Sequence, residues 1–193
     1  MDERANGYDD LADAFARARA GSTIGALQVR AWASSLGPAC EVLDVACGVG
    51  DPVTRALLES GSRVWAIDAS PRMVELFKAR FPTVPVCCEA VETMAHFGRL
   101  FDGVIAWGLL FLLHPDRQHA AITRLAGAVR AGGQLLFTAP AQVCQWVDVV
   151  TGRDSYGLGA DVYRRWLEAA GLTIVRTFSD EGDNHYFQAS RRL

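Results

Sequence analysis

The sequence predicts an α/β fold built around a mostly parallel sheet, and three observations support this prediction. Short β-rich runs alternate with helical patterns from residue 41 onward, which is typical of βαβ units. Most of these runs are almost continuously apolar, as expected for strands that helices cover on both faces. The composition of the 193-residue chain, 50% hydrophobic and 21% charged, is that of one globular domain that needs no disulfide framework.

Seven strands are predicted, and the last two should form an antiparallel hairpin at one edge of the sheet. The predicted strands are Glu41–Val45, Arg63–Ile67, Val84–Cys88, Phe101–Trp107, Gln134–Thr138, Leu172–Phe178 and His185–Ser190. The predicted helices are Asp9–Arg19, Ser22–Leu36, Pro52–Ser60, Pro71–Arg80, Val91–Phe97, Asp116–Arg130 and Ala160–Ala170. Asp51 or its neighbour should cap the helix that begins at Pro52, Ser70 should cap the next one, and Gly132 and Gly133 should end a helix.

The charge pattern argues against several classes of partner. The net charge is −3 and no basic run exceeds two residues, so we expect neither nucleic acid nor an anionic membrane surface as a partner. The longest apolar stretch, Val104–Leu113, is about half the length of a membrane span. The five cysteines show no metal-binding spacing, and the first ten residues are not typical of a signal peptide. We therefore expect a cytoplasmic protein with reduced thiols and no metal.

A nucleotide-type ligand site is predicted where the first strand runs into a small-residue turn. Gly48 and Gly50 in the segment VLDVACGVG let a ligand approach the backbone closely. Asp68 ends the second strand, 24 residues after Asp44, close to the spacing at which an acid binds ribose hydroxyls. Glu89 follows the third strand and would accept a hydrogen bond from adenine. The plainer alternatives are an ordinary βα turn, a helix cap at Asp68 and a solvated Glu89.

The ordered segments VLDVACGVG, VWAIDAS, CEAVETM, FDGVIAWGLLFLL and QLLFT resemble class I S-adenosylmethionine-dependent methyltransferases that act on small molecules. The resemblance implies a Rossmann-like three-layer sandwich with a seven-stranded sheet in the order 3-2-1-4-5-7-6 and an antiparallel last strand. It implies a single methyltransferase domain over residues 1–193, with an N-terminal helical lid at 1–37, an α/β core at 38–193 and an acceptor-site insertion at 139–159.

The resemblance also implies an activity and its partners. A methyl group would pass from S-adenosyl-L-methionine, giving S-adenosyl-L-homocysteine, to O, N or S of a small-molecule acceptor by in-line displacement. The enzyme would be a monomer or a homodimer. The nucleic-acid enzymes of this fold carry an asparagine/proline signature after the fourth strand, and this chain has Ala106-Trp107-Gly108-Leu109 there instead.

The resemblance assigns the cofactor site residue by residue. Its members are Asp44, Ala46, Cys47, Gly48 and Gly50 in the glycine turn, Asp68, Ala69 and Met73 at the ribose, Glu89, Ala90 and Val91 at adenine, and Ala106 and Trp107 beneath the methyl group. Tyr8 and Arg19 of the lid would touch the cofactor, although packing and a solvated surface charge explain them equally well. The chain has Ala46 where many family members have glycine, and we expect only a slight local adjustment there.

The acceptor site is predicted from the segment after the fifth strand. Trp146, Tyr156 and Tyr186 are candidate substrate-binding residues, because aromatic walls suit flat or cationic molecules. His114 and His185 are weak candidates for a general base, and a structural or surface role explains each of them better. Four acids, Asp148, Asp154, Asp180 and Asp183, should rim a pocket that suits a neutral or cationic acceptor.

Two other functions remain open at this point. A protein of the same fold could bind S-adenosylmethionine for a regulatory or partner-activating role without transferring the methyl group. A NAD-dependent oxidoreductase also has glycines after its first strand. However, position 53 is Val where the third glycine of that motif belongs, and the chain has no Tyr-x-x-x-Lys pair.

Overall fold

Nine strands form two sheets in residues 5–193, the part of the chain that the computed structural model describes. Residues 1–4 of the predicted lid lie outside the described residues. The strands are β1 (Glu41–Val45), β2 (Arg63–Asp68), β3 (Val86–Cys88), β4 (Phe101–Ala106), β5 (Val129–Thr138), β6 (Val143–Val147), β7 (Asp154–Leu158), β8 (Leu172–Ser179) and β9 (His185–Arg191). The helices are α1 (Tyr8–Arg19), α2 (Ala26–Ser35), α3 (Val53–Glu59), α4 (Pro71–Arg80), α5 (Pro115–Gly127) and α6 (Ala160–Ala169).

The larger sheet has seven strands in the order β3-β2-β1-β4-β5-β9-β8. The first five of these pair in parallel, and β9 is antiparallel to both β5 and β8. The predicted order and the antiparallel last strand are confirmed. Since the carboxyl ends of β1 to β4 lie at one edge of the sheet, the residues that follow these strands meet there.

Alternate residues of the central strands enter two separate cores, which gives the three layers. Leu43, Val104 and Phe137 pack in the core beneath α5 and α6. Val42 and Ile105 point the other way, into the core beneath α2 and α3. Burial on both faces explains why these strands are almost continuously apolar in sequence. In residues 5–193, no helix is long and apolar enough to cross a membrane.

The predicted helix Val91–Phe97 is wrong. The structure has a turn there and a single 3₁₀ turn at His96–Gly98. The backbone N–H of Ala95, which an α-helix would pair with a main-chain carbonyl, donates instead to Glu89 Oε2 at 2.9 Å. Phe97 has a left-handed φ of 54°, which also ends any helical run.

Other predicted helix boundaries are also wrong, and α2 begins at Ala26 rather than at Ser22. Helix α5 ends at Gly127, and Gly132 and Gly133 lie inside β5, where the register against β4 shifts at a bulge. Gly132 has φ 75°, a conformation that glycine accommodates in a bulge. Asp51 does not cap α3, because its carboxylate pairs with Arg55 and Arg80. Ser70 does cap α4, since Ser70 Oγ accepts from Met73 N at 3.0 Å.

The segment 139–159 contains a two-stranded sheet, β6 and β7, that the sequence analysis did not predict. Gln118 on α5 connects this hairpin to the core. The Gln118 side chain is fully buried, and its Nε2 donates to the carbonyls of Leu113 and Tyr156, each at 3.0 Å. Its Oε1 accepts from the hydroxyl of Tyr163 at 2.8 Å. A satisfied buried amide therefore holds β7 against α5.

We expect Gln118→Leu to destabilise the chain by about 2–4 kcal/mol, because two carbonyls and one hydroxyl lose a buried partner. Chemical denaturation followed by circular dichroism measures this change. Thr123→Val on the same helix is the control, since Thr123 is exposed and donates only to the carbonyl of His119. A loss of stability in Gln118→Leu no larger than in the control would contradict the assignment.

Candidate functional site

A cavity of about 310 Å³ opens at the carboxyl ends of β1, β2 and β4. Helix α1 and the β6–β7 loop contribute to its walls. Ten of the predicted site residues line it: Tyr8, Arg19, Asp44, Ala46, Cys47, Gly48, Asp68, Ala69, Met73 and Trp107. The parallel strands and helix α1 therefore bring together side chains that are separated by up to about a hundred residues in sequence.

The glycine turn forms the floor of this cavity and is bonded to the end of β2. Gly48 N donates to Asp68 Oδ2 at 2.8 Å, and Cys47 N donates to the carbonyl of Ile67 at 3.0 Å. Ala46 and Gly48 both have positive φ, at 58° and 53°. Gly50 does not line the cavity, because its missing side chain makes room for the Phe81 ring behind the turn.

Asp44 is a buried acid in the cavity floor. Its Oδ2 accepts from Thr54 Oγ1 at 2.6 Å, and it is 1% exposed. Burial raises the pKa of Asp44 to about 7, the Thr54 hydrogen bond opposes this rise, and the nearby Asp68 carboxylate adds to it. Burial also raises the pKa of Asp68, against the hydrogen bonds from Ser70 N and Gly48 N. The floor therefore carries two acids close together, and one of them titrates near neutrality.

A second, smaller cavity of about 30 Å³ adjoins the first between β2 and β3. Glu89, Ala90 and Val91 line it, and Ala46 and Ala69 are common to both cavities. The three residues assigned to adenine thus lie beside the residues assigned to ribose. Glu89 uses one carboxylate oxygen to hold the turn at Ala95.

The lid helix α1 closes one side of the cavity. The guanidinium of Arg19 lies 4.7 Å from the Trp107 ring and 5.5 Å from the Phe15 ring, and burial lowers its pKa. Tyr8 donates to Asp148 Oδ2 at 3.2 Å, so the lid is bonded to the loop between β6 and β7. Burial, followed by the Asp148 charge, raises the Tyr8 pKa and keeps its hydroxyl protonated.

Comparison with known proteins connects this geometry to a family. Residues 42–133 match the family model described as a methyltransferase domain. This part of the chain is therefore similar to a methyltransferase domain. The matched residues begin in β1 and end within β5, so they include the glycine turn, Asp68 and Glu89. No curated protein sequence matches the chain.

Solved structures share the fold at low sequence identity. The amino pentose methyltransferase CalS10 from Micromonospora echinaspora, solved with bound S-adenosylmethionine, is 19% identical with a TM-score of 0.73, over 93% of this chain and 95% of that chain. The sugar N-methyltransferase KedS8 from Streptoalloteichus sp. is 20% identical with a TM-score of 0.73, over 94% and 92%. Magnesium protoporphyrin IX methyltransferase from Synechocystis PCC 6803, with bound S-adenosylmethionine, is 22% identical with a TM-score of 0.70, over 86% and 77%.

Several predicted site residues lie away from the cavity wall. Ala106 is fully buried within β4. The His114 ring is 60% exposed and lies beside Asp116, 3.3 Å from Nδ1 to Oδ2. His185 packs edge-on against Phe187, and burial lowers its pKa. Neither histidine lines the cavity, so the structure gives no support to a catalytic role for them.

The predicted aromatic wall is also placed differently. Trp146 packs on Phe111, with ring centroids 5.5 Å apart, and Phe111 rather than Trp146 lines the cavity. Tyr156 packs against the exposed His114. Tyr186 is fully buried behind the wall. Of the four acids expected at the rim, only Asp148 lines the cavity.

Sequence reasoning missed other lining residues, namely Asn6, Phe15, Phe111, Leu112, Val149, Val150 and Asn184. Asn6 carries a buried Nδ2 that has no hydrogen-bond partner within residues 5–193. These residues lie in the lid, after β4, in the hairpin loop and in the turn before β9. Only Phe111 and Leu112 fall in one of the segments that carry the family resemblance, and only the folded chain brings all of these residues together.

A chain of hydrogen bonds fixes the wall at Trp107. Trp107 Nε1 donates to the hydroxyl of Tyr186 at 2.7 Å, and that hydroxyl donates to Asp180 Oδ2 at 2.8 Å. Asn184 also donates to Asp180 and lines the cavity. Gly25, at the start of α2, lies directly over this group, and a Cβ there would overlap the Tyr186 hydroxyl and lie 2.9 Å from Asp180 Oδ2.

We expect Gly25→Ala to destabilise the chain by about 2–4 kcal/mol, since its Cβ must displace a buried hydrogen-bonded group. Gly21→Ala is the matched control: Gly21 has φ 73°, close to the 78° of Gly25, but its Cβ would meet nothing within 4 Å. The control should lose only about 1 kcal/mol, the cost of the left-handed backbone. Denaturant unfolding compares the two variants, and equal losses would mean that the close approach to Tyr186 has no energetic effect.

Proposed function

We propose that the chain is an S-adenosylmethionine-dependent methyltransferase that transfers the methyl group to nitrogen, oxygen or sulfur of a small molecule. One observation carries the proposal. The Asp68 carboxylate lies against the backbone of the glycine turn, at the floor of a 310 Å³ cavity. This combination suits a nucleoside. The ribose hydroxyls need a hydrogen-bond acceptor, and the bulk of the nucleoside needs a turn of small residues that it can approach closely. The family match and the cofactor bound by similar folds support this particular nucleoside.

The residues at the floor fit the nucleoside part of the cofactor. Each Asp68 oxygen accepts one backbone N–H, from Gly48 and from Ser70. A carboxylate oxygen has two acceptor positions, so each can also accept from a ribose hydroxyl. Glu89 spends Oε2 on Ala95 and would offer Oε1 to the adenine amine beside the smaller cavity.

Arg19 and Asp44 fit the methionine part of the cofactor. The Arg19 guanidinium, held between Phe15 and Trp107, would bind the carboxylate of the cofactor. The negative charge of ionised Asp44 would attract its cationic groups. S-adenosylmethionine supplies the electrophile, a methyl group on a positively charged sulfur.

The chain then has to position the reactants and keep water out. Trp107 lies at the end of β4 and is fixed by Tyr186, so it provides a rigid wall. The lid and the β6–β7 loop close the cavity through the bond between Tyr8 and Asp148. Because the electrophile comes with the cofactor, no residue of the cavity has to form a covalent bond, and holding the acceptor in line is the principal task.

Calorimetric titration with S-adenosylhomocysteine and with NAD tests the proposal. We expect saturable binding of the first and none of the second. Turnover of the labelled methyl group of S-adenosylmethionine into a panel of small metabolites then distinguishes an enzyme from a regulatory binding protein. Binding of NAD instead of S-adenosylhomocysteine would overturn the proposal.

Asp68→Ala should weaken S-adenosylhomocysteine binding by about 1.5–3 kcal/mol, because the ribose loses hydrogen bonds to a charged acceptor. Asp68→Asn keeps an oxygen for the turn and should lose part of the same energy with less effect on folding. Asp154→Ala, an exposed acid on β7, is the control. If both Asp68 variants fold and bind as the unaltered chain does, Asp68 serves only the turn.

The raised pKa of Asp44 predicts how binding depends on pH. The ionised fraction of a group with a pKa of about 7 rises from about one tenth at pH 6 to about nine tenths at pH 8. The affinity for S-adenosylmethionine should therefore increase up to about 10-fold over this range, relative to S-adenosylhomocysteine, which lacks the sulfonium charge. Asp68 and Cys47 are the titratable groups that face Asp44.

Thr54→Val is the diagnostic variant for this pH dependence. It removes the hydrogen bond that lowers the Asp44 pKa, so the midpoint should move to higher pH. In the unaltered, unliganded chain, the free energy of unfolding should fall as the pH rises from about 4 through 7, because folding disfavours the ionised form of Asp44. Stability therefore falls over the pH range in which the affinity for S-adenosylmethionine rises. Fluorescence titrations from pH 5.5 to 8.5 measure the ratio of affinities, and a flat ratio would contradict the assignment.

A further inference from the structure

The glycine turn and the end of β2 form one side of the cavity. The rest of the cavity wall is mostly apolar. Trp107 and Phe111 contribute aromatic rings, and Leu112, Val149 and Val150 contribute aliphatic side chains. Such a wall suits the apolar body of an acceptor. Asp148 is the carboxylate on this side of the cavity, in the loop between β6 and β7.

The two oxygens of Asp148 have different surroundings. Oδ2 accepts three hydrogen bonds, from Tyr8 Oη at 3.2 Å, Thr151 N at 3.0 Å and Thr151 Oγ1 at 2.7 Å. Oδ1 accepts none from the residues that the structure describes. The residue is only 9% exposed. A carboxylate in this environment is fixed in position by one oxygen, while the other has its acceptor positions open to a ligand in the cavity.

The charges around the cavity favour a cationic acceptor. Among the described lining residues, Asp44, Asp51, Asp68 and Asp148 face a single cation, Arg19. Asp51 is compensated by Arg55 and Arg80, and Asp68 by the backbone of the turn and Ser70. The donors to Asp148 are all neutral groups. The acceptor side therefore retains one negative charge that a ligand can neutralise.

We propose that the acceptor is an apolar or aromatic molecule carrying an amino group, and that Asp148 Oδ1 binds this amino group. The inference rests on the proposed methyltransferase function and names the class of molecule that shares the cavity with the cofactor. The contact is one of recognition, because an ammonium group has no lone pair and is not itself a nucleophile. Asp148 is thus a specificity-determining residue.

The test compares two probes of the same shape on the full chain saturated with S-adenosylhomocysteine. Tryptamine and tryptophol share an indole-ethyl body and differ in an amine against a hydroxyl. At pH 7.5 we expect calorimetry to give tryptamine an affinity at least about 10-fold higher, the effect of a hydrogen bond between charged partners. Phenethylamine and 2-phenylethanol should repeat the preference with a smaller ring.

Asp148→Asn should reduce the preference to within about 3-fold, because the side chain keeps its size but loses its charge. Asp154→Asn is the matched control: Asp154 pairs with Val147 across the same hairpin and is exposed. It should leave the preference unchanged. The amine and alcohol contrast on the unaltered chain needs no variant, so a folding defect in Asp148→Asn does not weaken the test.

Distinct outcomes overturn the inference and the proposed function. If S-adenosylhomocysteine binds but the amines bind no better than the alcohols, or if none of the four probes binds saturably, Asp148 is not an amine site. Retention of the preference in a folded Asp148→Asn variant has the same meaning. If S-adenosylhomocysteine itself does not bind, the proposed function fails, and this inference fails with it.

Discussion

The hydrogen bond from Gly48 N to Asp68 Oδ2 is the interaction on which the rest of the site depends. Parallel strands end with backbone groups that their neighbours no longer satisfy, and β1 and β2 end side by side. The bond from Cys47 N to the Ile67 carbonyl continues their pairing, and Asp68 then satisfies the next N–H of the turn. The Asp68 side chain, which a ligand in the cavity can reach, therefore also fixes the backbone of the turn that makes room for the ligand.

Placing Asp44 and Asp68 together at this floor costs stability in the absence of a cation. Burial raises the pKa of both carboxyls, and each raises the energy of ionising the other. Thr54 relieves part of this cost for Asp44, and two backbone N–H groups relieve part of it for Asp68. A cationic ligand would relieve the remainder. Binding affinity and the pH dependence of folding are thus consequences of the same pair of acids.

The parts of the fold that were predictable from the sequence are those determined by local chemistry. Helix α4 was predicted with both boundaries correct, because Ser70 caps it and Pro71 fits its first position. The segment after Glu89 has helical periodicity. However, the Glu89 side chain accepts a hydrogen bond from the backbone N–H of Ala95, six positions away, and periodicity does not reveal this competing bond. The hairpin β6–β7 escaped prediction because β6 has no buried residue, with Val143 and Val147 81% and 58% exposed, and because the buried positions of β7 are Ser155 and Gly157, which give no apolar alternation.

The same distinction applies to the site. The residues on the glycine turn and after β2 and β3 were predictable, because parallel strands always bring these positions to one edge. The position of Trp107 depends on Tyr186, which is 79 residues away. It also depends on Asp180, which accepts hydrogen bonds from the Tyr186 hydroxyl and from the backbone N–H of Asn184. The position of Asp148 depends on Tyr8, 140 residues away. Such contacts follow from the packing of separate elements, and no sequence spacing encodes them.

The cavity therefore has two halves with different structural support. The cofactor half is built on strands of the main sheet, where a change of residue disturbs both cores. The proposed acceptor half is built on the segment after β4 and on the loop between β6 and β7, a separate sheet that Gln118 connects to α5. Substitutions in that loop can alter the shape and charge offered to the acceptor while the sheet and the cofactor floor stay intact. Asp148 would couple the halves, since the carboxylate proposed to bind the acceptor also binds Tyr8, so loop, lid and acceptor would order together.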